Sequence, residues 1–151
     1  MSATNSRWPE QVEAACLSRG LQLTPLRRRV LAILSESGEP LGAYAIIDRL
    51  SKLEGKQIAP PTVYRTLEFF ADNGFLHKIE SRNVFVPCEH PGHVHAGVLM
   101  LCDACGRTQE REDADLAGAL GKAAERAEFA LGAQMLELHG LCAACAARGQ
   151  S

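Results

Sequence analysis

Residues 75–110 read FLHKIESRNVFVPCEHPGHVHAGVLMLCDACGRTQE. This segment holds four of the five histidines and three of the six cysteines of the chain. Imidazoles, thiolates and carboxylates are the ligand types that bind zinc in proteins. The candidate ligands in the segment are His77, Cys88, His90, His93, His95, Cys102, Cys105 and Glu110. Because the segment joins two parts of the chain that differ in character, a metal ion bound here would fix their relative orientation.

The bulk composition describes a folded protein without a membrane segment. A length of 151 residues and an apolar share of 46% suit one ordinary domain or two small ones with real cores. No apolar run approaches the roughly 20 residues that cross a bilayer, and the polar N-terminus lacks the apolar core of a signal peptide. We therefore expect a cytoplasmic protein with no membrane partner. In that compartment six cysteines are metal ligands or reduced thiols more often than disulfides.

The net charge of −2 is an average over two unlike halves. Residues 1–86 carry 11 Lys and Arg against 9 Asp and Glu, a net of +2, whereas residues 87–151 carry 5 against 9, a net of −4. This asymmetry permits nucleic-acid binding by the first half but does not establish it. It also predicts different partners for the two halves.

The first half has the element order of a winged helix-turn-helix. Its patterns predict helices over Trp8–Arg19, from Pro25 onwards, over Ala43–Leu53 and through Thr62–Phe70, and strands over Phe75–Ile79 and Asn83–Val86. In a winged helix-turn-helix the last helix enters the major groove and the wing touches the DNA backbone. The alternative is a small helical domain that binds no nucleic acid.

The last predicted helix carries groove-facing candidates. Val63, Leu67 and Phe70 form its buried stripe, and at about 100° per residue Arg65 points away from that stripe with Thr62 and Tyr64 on its flanks. Such side chains suit base edges and phosphates. The run Arg27, Arg28 and Arg29 could contact phosphates too, or could be only a solvated helix face.

The second half reads as a small α/β domain. Strands are predicted over Val94–Leu101, Thr108–Glu112 and Phe129–Leu138, with a helix beginning at Asp113. The run 98–101 is apolar on both faces, which predicts a sheet buried on both sides, as at a subunit interface. The fold class is therefore α+β, with a first domain over residues 1–86, a hinge at about residues 82–88, and a dimerisation domain over residues 87–151. A second copy would cover the exposed face of this sheet.

Two Cys-x-x-Cys pairs are the strongest chemical signal. Each pair, Cys102 with Cys105 and Cys142 with Cys145, offers two thiolates, and two such knuckles complete a tetrahedral four-sulfur site. A closed site of this kind stabilises a domain and leaves no position for substrate. The alternative is a pair of redox dithiols.

A second zinc site is predicted from His77, Cys88, His95 and Glu110. One thiolate, two imidazoles and a carboxylate suit zinc, and the soft sulfur argues against a site for hard ions alone. The site would take His77 from the first domain and the other three ligands from the second. His90 and His93 are alternative ligands, members of a weaker third site, or solvated side chains, and Glu112 competes with Glu110.

These residues resemble the ferric uptake regulator family, and within it the zinc uptake regulator branch, over about residues 12–145. The matching stretches are LTP at 23–25 with Arg27, AY at 43–44, PTVYR at 61–65, GFLHK at 74–78, CDAC at 102–105 with Gly106, and HGLC at 139–142 with Cys145. The resemblance implies a homodimeric, metal-dependent repressor. It places the regulatory site on His77, Cys88, His95 and Glu110, and DNA reading on Tyr44, Tyr64 and Arg65. Leu26 departs from the glutamine usual in the family.

The predicted function is that of a zinc-responsive repressor. Two zinc ions per chain, one structural and one regulatory, would let a homodimer bind double-stranded operator DNA and repress zinc-uptake genes. Thr62 and Arg27 are further candidate DNA contacts. The protein would be no enzyme and would take no small-molecule substrate. The alternatives are an iron, manganese or peroxide sensor of the same family, a zinc hydrolase, and a zinc-stapled interaction module.

Overall fold

The computed structural model describes residues 7–91, 97–132 and 135–149, which form two units. The N-terminal unit (residues 7–91) contains α1 (Trp8–Ser18), α2 (Pro25–Ser37), α3 (Ala43–Glu54), α4 (Pro60–Asp72), β1 (Leu76–Ile79) and β2 (Val84–Pro87). The C-terminal unit (residues 97–132 and 135–149) contains β3 (Gly97–Cys102), β4 (Thr108–Arg111), α5 (Ala114–Arg126), β5 (Met135–Gly140) and α6 (Ala143–Arg148). The predicted α+β class is confirmed. Across these ranges, each helix is too short or too polar to span a membrane.

The helices of the N-terminal unit follow their sequence signals. Thr24 caps α2 by accepting a hydrogen bond from the amide of Arg27 at 3.3 Å, and Pro25 occupies the first helical position. The predicted stripe of α4 is confirmed, because Val63, Leu67 and Phe70 are all fully buried. They join one apolar core with side chains of α1, α2, α3 and the hairpin.

The hairpin after α4 completes the winged arrangement. Strands β1 and β2 are antiparallel with His77 opposite Val86. Asn83, at a φ of 51°, turns the chain between the strands. Leu41 exchanges two backbone hydrogen bonds with Phe85, at 3.1 and 2.8 Å, which attaches the hairpin to the segment between α2 and α3. The helices and the wing therefore form one packed body.

The C-terminal unit is built on a three-stranded sheet of order β4-β3-β5. The central strand β3 runs antiparallel to β4 and parallel to β5, with Cys102 opposite Gly140 at one end. A Cβ atom at Gly97 would lie 2.8 Å from the carbonyl oxygen of Arg111, so the close approach of β4 requires glycine there. The parallel pairing brings the ends of two distant strands side by side.

In this unit the bounds of one strand differ from the prediction, and one helix was not predicted. The third strand was expected over Phe129–Leu138 but occupies Met135–Gly140. Phe129 instead donates its amide to the carbonyl of Ala124 at 2.9 Å and helps to end α5. Helix α6 was not predicted, because six residues are too few to display a helical period.

Strand β3 is not buried on both faces within one chain. Val98, Leu99 and Leu101 are buried as expected, but Met100 is 43% exposed. The predicted start of this strand at Val94 lies outside the described residues. Within one chain, the sheet face that carries Met100 is therefore open to solvent and available to another surface.

Candidate metal centres and nucleic-acid interface

The first cysteine knuckle follows the end of β3. The amide of Cys102 donates to the carbonyl of Arg107, and the amide of Gly106 donates to the carbonyl of Cys102, each at 2.9 Å. Gly106 has a φ of 77°, a conformation that favours glycine. This tight turn directs the thiols of Cys102 and Cys105 to the same side.

The second knuckle follows β5 and continues into α6. Cys142 is the N-cap residue of α6, and Cys145 is buried within that helix. The amide of Asp103, in the first knuckle, donates to the carbonyl of Gly140 at 2.8 Å, just before the second knuckle. Parallel pairing of β3 with β5 thus brings the knuckles together, although 36 residues separate the pairs.

The four thiols have the spacing of a tetrahedral site. Their sulfur atoms all lie within 4.8 Å of one another, and Cys105 Sγ and Cys142 Sγ lie 3.9 Å apart. A zinc–sulfur bond of about 2.3 Å in a tetrahedron implies sulfur–sulfur distances of roughly 3.8 Å. The donor set and its spacing therefore fit zinc, and the cluster predicted from the sequence is brought together.

Backbone hydrogen bonds favour the metal-binding thiolate form of two of the four cysteines and not of Cys145. Backbone N–H groups of Cys142 and Cys105 lower the pKa of Cys102 to about 6. The backbone N–H of Cys145 likewise lowers the pKa of Cys142. Hydrogen bonding with the Cys142 side chain, together with burial, raises the pKa of Cys145 to about 12.

Three residues around this cluster were not predicted as part of it. Arg148 Nη2 donates to Cys145 Sγ at 3.3 Å, which places a positive charge beside a thiol. The Nδ1 atom of His139 lies 3.1 Å from Asp103 Oδ1, and this hydrogen bond raises the pKa of His139. His139 was expected only to end a strand, yet with Asp103 it joins the two knuckles. The sequence did offer a signal, because Asp103 lies within the first cysteine pair, and His139 and Arg148 lie three positions before and after the second pair.

Two members of the predicted second site lie together in the N-terminal unit. His77 is in β1 with 8% of its surface exposed, and Cys88 follows β2 with 1% exposed. A ring nitrogen of His77 and Cys88 Sγ lie within 4.8 Å of each other. Cys88 was assigned to the second domain, but its amide donates to the carbonyl of Phe75 at 2.9 Å and extends the hairpin. The pair has the burial and spacing of two ligands of one ion.

The remaining candidates of the second site are distributed as follows. Glu110 lies in β4 of the C-terminal unit, opposite Leu99, and is 8% exposed. Glu112, the competing carboxylate, is exposed. A buried carboxylate requires a charge or a hydrogen-bond partner, so the burial of Glu110 favours it over Glu112 as the ligand. His90 is exposed. His93 and His95 lie outside the described residues.

All five predicted DNA contacts lie in the N-terminal unit and are at least partly exposed, Arg27 being half-buried like Tyr64. Thr62 and Arg65 are exposed and Tyr64 is half-buried, all within the first two turns of α4. Tyr44, at the start of α3, is 72% exposed. An aromatic side chain this exposed contributes little to the stability of the core, and it is available for contact with a partner.

The arginine run at 27–29 is engaged in contacts within the protein. Arg27 places its guanidinium carbon 3.6 Å from the ring centroid of Phe69. Arg28 forms an ion pair with Glu13 at 2.8 Å, and Arg29 forms one with Glu54. A solvated face with internal partners therefore describes this run better than three open phosphate ligands.

A family model described as the ferric uptake regulator family matches residues 18–139. The chain belongs to the ferric uptake regulator family. It is 39% identical over 138 residues to the zinc uptake regulation protein of Escherichia coli (strain K12), a match that covers 89% of this chain and 79% of that protein. The family resemblance drawn from the motifs is confirmed.

Solved structures of zinc uptake regulators have the same fold over nearly the whole chain. Holo XcZur superposes with a TM-score of 0.84 at 44% identity, covering 94% of this chain and 99% of that one. A zinc uptake regulator in complex with zinc and DNA superposes with a TM-score of 0.84 at 35% identity, and the match covers 100% of both chains. These matches confirm the zinc branch that the motifs had indicated.

Proposed function

We propose that this protein is a zinc-responsive transcriptional repressor, which binds operator DNA as a homodimer when a regulatory zinc is bound and represses zinc-uptake genes. The observation that carries the proposal is the match, complete in both chains, to a zinc uptake regulator in complex with zinc and DNA. The chain's own residues supply the parts that this function needs: a four-thiol cluster, a buried histidine–cysteine pair and an exposed helix face.

One zinc is structural and is held by Cys102, Cys105, Cys142 and Cys145. Four thiolates fill a tetrahedral coordination sphere, so the ion has no open position for water or substrate. That argues against a hydrolase, which needs an open metal position. Cys102 and Cys105 after β3, with Cys142 and Cys145 after β5, would hold this zinc, so its binding energy would contribute to the folding of the C-terminal unit.

A second zinc is regulatory, with His77, Cys88, His95 and Glu110 as its ligands. His77 and Cys88 support this assignment because they are buried within ligand distance of each other in the N-terminal unit. The thiolate of Cys88 favours zinc over iron or manganese, whose sites are richer in oxygen and nitrogen donors. When bound, the ion would link its four ligands, and its binding free energy would therefore depend on the positions of all four.

Operator recognition uses the exposed first turns of α4. Arg65 and Tyr64 reach base edges in the major groove, while Thr62 and Tyr44 contact the groove or its phosphates. A two-fold dimer would read two half-sites about one helical turn, roughly 34–36 Å, apart. The operator is therefore expected to be a near-palindrome. A repressor that binds the chromosome of a cell without a nucleus, such as that of the Escherichia coli relative, works in the cytoplasm, and we expect the same of this protein.

The partner surface for a second copy is the exposed face of the C-terminal sheet. Met100, Leu136 and Leu138 are 43%, 37% and 42% exposed and lie on one face of β3 and β5. Met100 and Leu138 also line an open groove of about 340 Å³. An apolar sheet face of this kind is normally covered, and a two-fold partner would cover it with the same residues.

Zinc controls DNA binding if it binds the DNA-competent form more tightly than the alternative form. A gel shift with the zinc-loaded and chelator-treated protein tests the function. The probe is a duplex selected from a random library by the zinc-loaded protein. Zinc-dependent binding is the expected result, and equal binding with and without zinc would contradict the proposal.

A further inference from the structure

We infer that Arg27 and Arg19 serve DNA recognition indirectly, as positioning residues that hold the C-terminal turn of α4, and that neither is a phosphate ligand. The inference rests on the proposed function and adds to it two residues that act through Phe69 and Asn73. Both arginines come from elements that precede α4 in the chain, so each links the recognition helix to a different helix of the N-terminal unit.

Arg27 is placed by three contacts. Its guanidinium carbon lies 3.6 Å from the ring centroid of Phe69, which is the contact distance of a stacked cation–π pair. Its Nη1 donates to the carbonyl oxygen of Gln22, and its own amide donates to Thr24 at the N-cap of α2. The side chain is half-buried. A planar guanidinium suits this stack, whereas the compact ammonium of a lysine does not.

Arg19 engages the residue at which α4 ends. Its Nη1 donates to the carbonyl oxygen of Asn73 and its Nη2 donates to Asn73 Oδ1, both at 3.0 Å. Asn73 is the C-cap of α4, and carbonyls at a helix C-terminus lack partners within the helix. The positive charge also suits the negative end of the helix dipole. Arg19 thus satisfies one end of α4 from the C-terminus of α1.

Both contacts fall on the last turn of α4 or just after it, while Thr62, Tyr64 and Arg65 lie on its first two turns. At about 1.5 Å per residue, Arg65 lies roughly 10 Å from the held turn, so a tilt of about 5° there would shift it by roughly 1 Å. The buried stripe holds α4 against the core. The two arginines add polar and stacking contacts at one end, which resist tilting of the helix.

The test compares Arg27→Lys and Arg27→Ala with the zinc-loaded wild type. Fluorescence anisotropy measures affinity for a duplex selected from a random library by the wild type, and for a scrambled duplex of equal composition, at several salt concentrations. A positioning role predicts that both variants lose affinity for the selected duplex by up to about 5-fold, because the energy of the lost cation–π contact sets the upper limit of its effect on binding. Affinity for the scrambled duplex and the salt dependence should stay unchanged.

A phosphate ligand would behave differently. The loss of one phosphate contact flattens the slope of log affinity against log salt concentration by about 0.9. It also lowers the affinity for the selected and the scrambled duplex by the same factor. The Arg27→Lys variant would then have the wild-type salt dependence and the wild-type affinity for both duplexes, because lysine keeps the charge. That pattern would overturn the inference, as would unchanged affinity for the selected duplex in both variants. A merely structural role would lower the melting temperature without changing the ratio of the two affinities, and that result would also overturn the inference.

Three further variants complete the experiment. Phe69→Leu keeps the charge of Arg27 but removes the ring, and should reproduce Arg27→Lys even if Arg27→Ala does not fold. Arg19→Lys should also reduce only the selected-duplex affinity. The matched control is Arg28→Lys, since Arg28 pairs with Glu13 in α1 and should leave both affinities unchanged. A wild type that binds neither duplex would overturn the proposed function and this inference together, whereas silent variants would overturn this inference alone.

Discussion

Cys105 Sγ and Cys142 Sγ lie 3.9 Å apart, although 37 positions of sequence separate them. Each belongs to a different knuckle, and the parallel pairing of β3 with β5 brings these knuckles together. The contact is therefore a direct sign of whether the C-terminal unit has folded.

Replacement of Cys105 by serine should release the structural zinc. A structural zinc contributes on the order of 10 kcal/mol of apparent binding free energy, so its loss should unfold most of the C-terminal unit. Metal analysis should find about one zinc fewer per chain, and thermal melting should lose cooperativity. The control is Cys16→Ala, because Cys16 is buried in the N-terminal core. Retention of full zinc by Cys105→Ser would contradict the four-thiol assignment.

Arg148 should slow the loss of structural zinc, because its Nη2 donates a hydrogen bond to Cys145 Sγ. Arg148→Ala leaves the four ligands intact but removes a cation from beside a thiolate. Partners of metal ligands are typically worth about 10-fold or more in metal affinity. Transfer of zinc to a coloured chelator should therefore be about 10-fold faster than in the wild type. Arg126→Ala, on the exposed last turn of α5, should show the wild-type rate.

Arg65→Ala should weaken operator binding without changing the zinc content. One good base contact by arginine is worth about 1–3 kcal/mol, which corresponds to roughly a 5- to 150-fold loss of affinity. Anisotropy titrations against the selected duplex, with metal analysis of the same sample, check both parts. Unaltered affinity would contradict the groove-facing role of Arg65.

Leu138→Glu should convert the dimer to a monomer. Leu138 is 42% exposed on the sheet face, so glutamate is tolerated in the isolated chain, but an unpaired charge buried between two copies is costly. Sedimentation should show the mass of one chain, and operator affinity should fall with it. Leu17→Glu, at a residue 85% exposed on α1, should remain dimeric. A dimeric Leu138→Glu variant would place the interface elsewhere.

The sequence predicts best where one short-range rule governs the structure. Thr24 and Pro25 begin α2 as expected because capping is local, and the stripe of Val63, Leu67 and Phe70 follows from the helical period. The two Cys-x-x-Cys pairs reveal their cluster because zinc chemistry fixes the number and spacing of its ligands. The second set of ligands was predicted from their donor types, with alternatives left open, and the family resemblance implies the same four residues.

The features that were missed depend on contacts between distant positions. Arg27 stacks on Phe69, 42 positions away in the chain, and no periodic pattern records such a pair. Cys88 is buried in the N-terminal unit and donates its amide to the carbonyl of Phe75, 13 positions earlier, although Pro87 marked a change of composition. The error at Phe129 is local instead: this residue was assigned to a strand because it is apolar and aromatic, but its amide bonds to the carbonyl of Ala124, five positions earlier, at the end of α5.

In the proposed mechanism an exchangeable zinc, bound through His77 and Cys88, controls DNA binding. The most direct test titrates zinc into protein that retains only its structural ion, and follows binding to the selected duplex by anisotropy, for the wild type and for Cys88→Ser. The wild type should pass from weak to tight binding as the second zinc binds. Cys88→Ser should keep one tightly held zinc, remain a dimer, and bind weakly at every zinc concentration. A Cys88→Ser variant that responds to zinc as the wild type does would show that the regulatory site does not depend on Cys88.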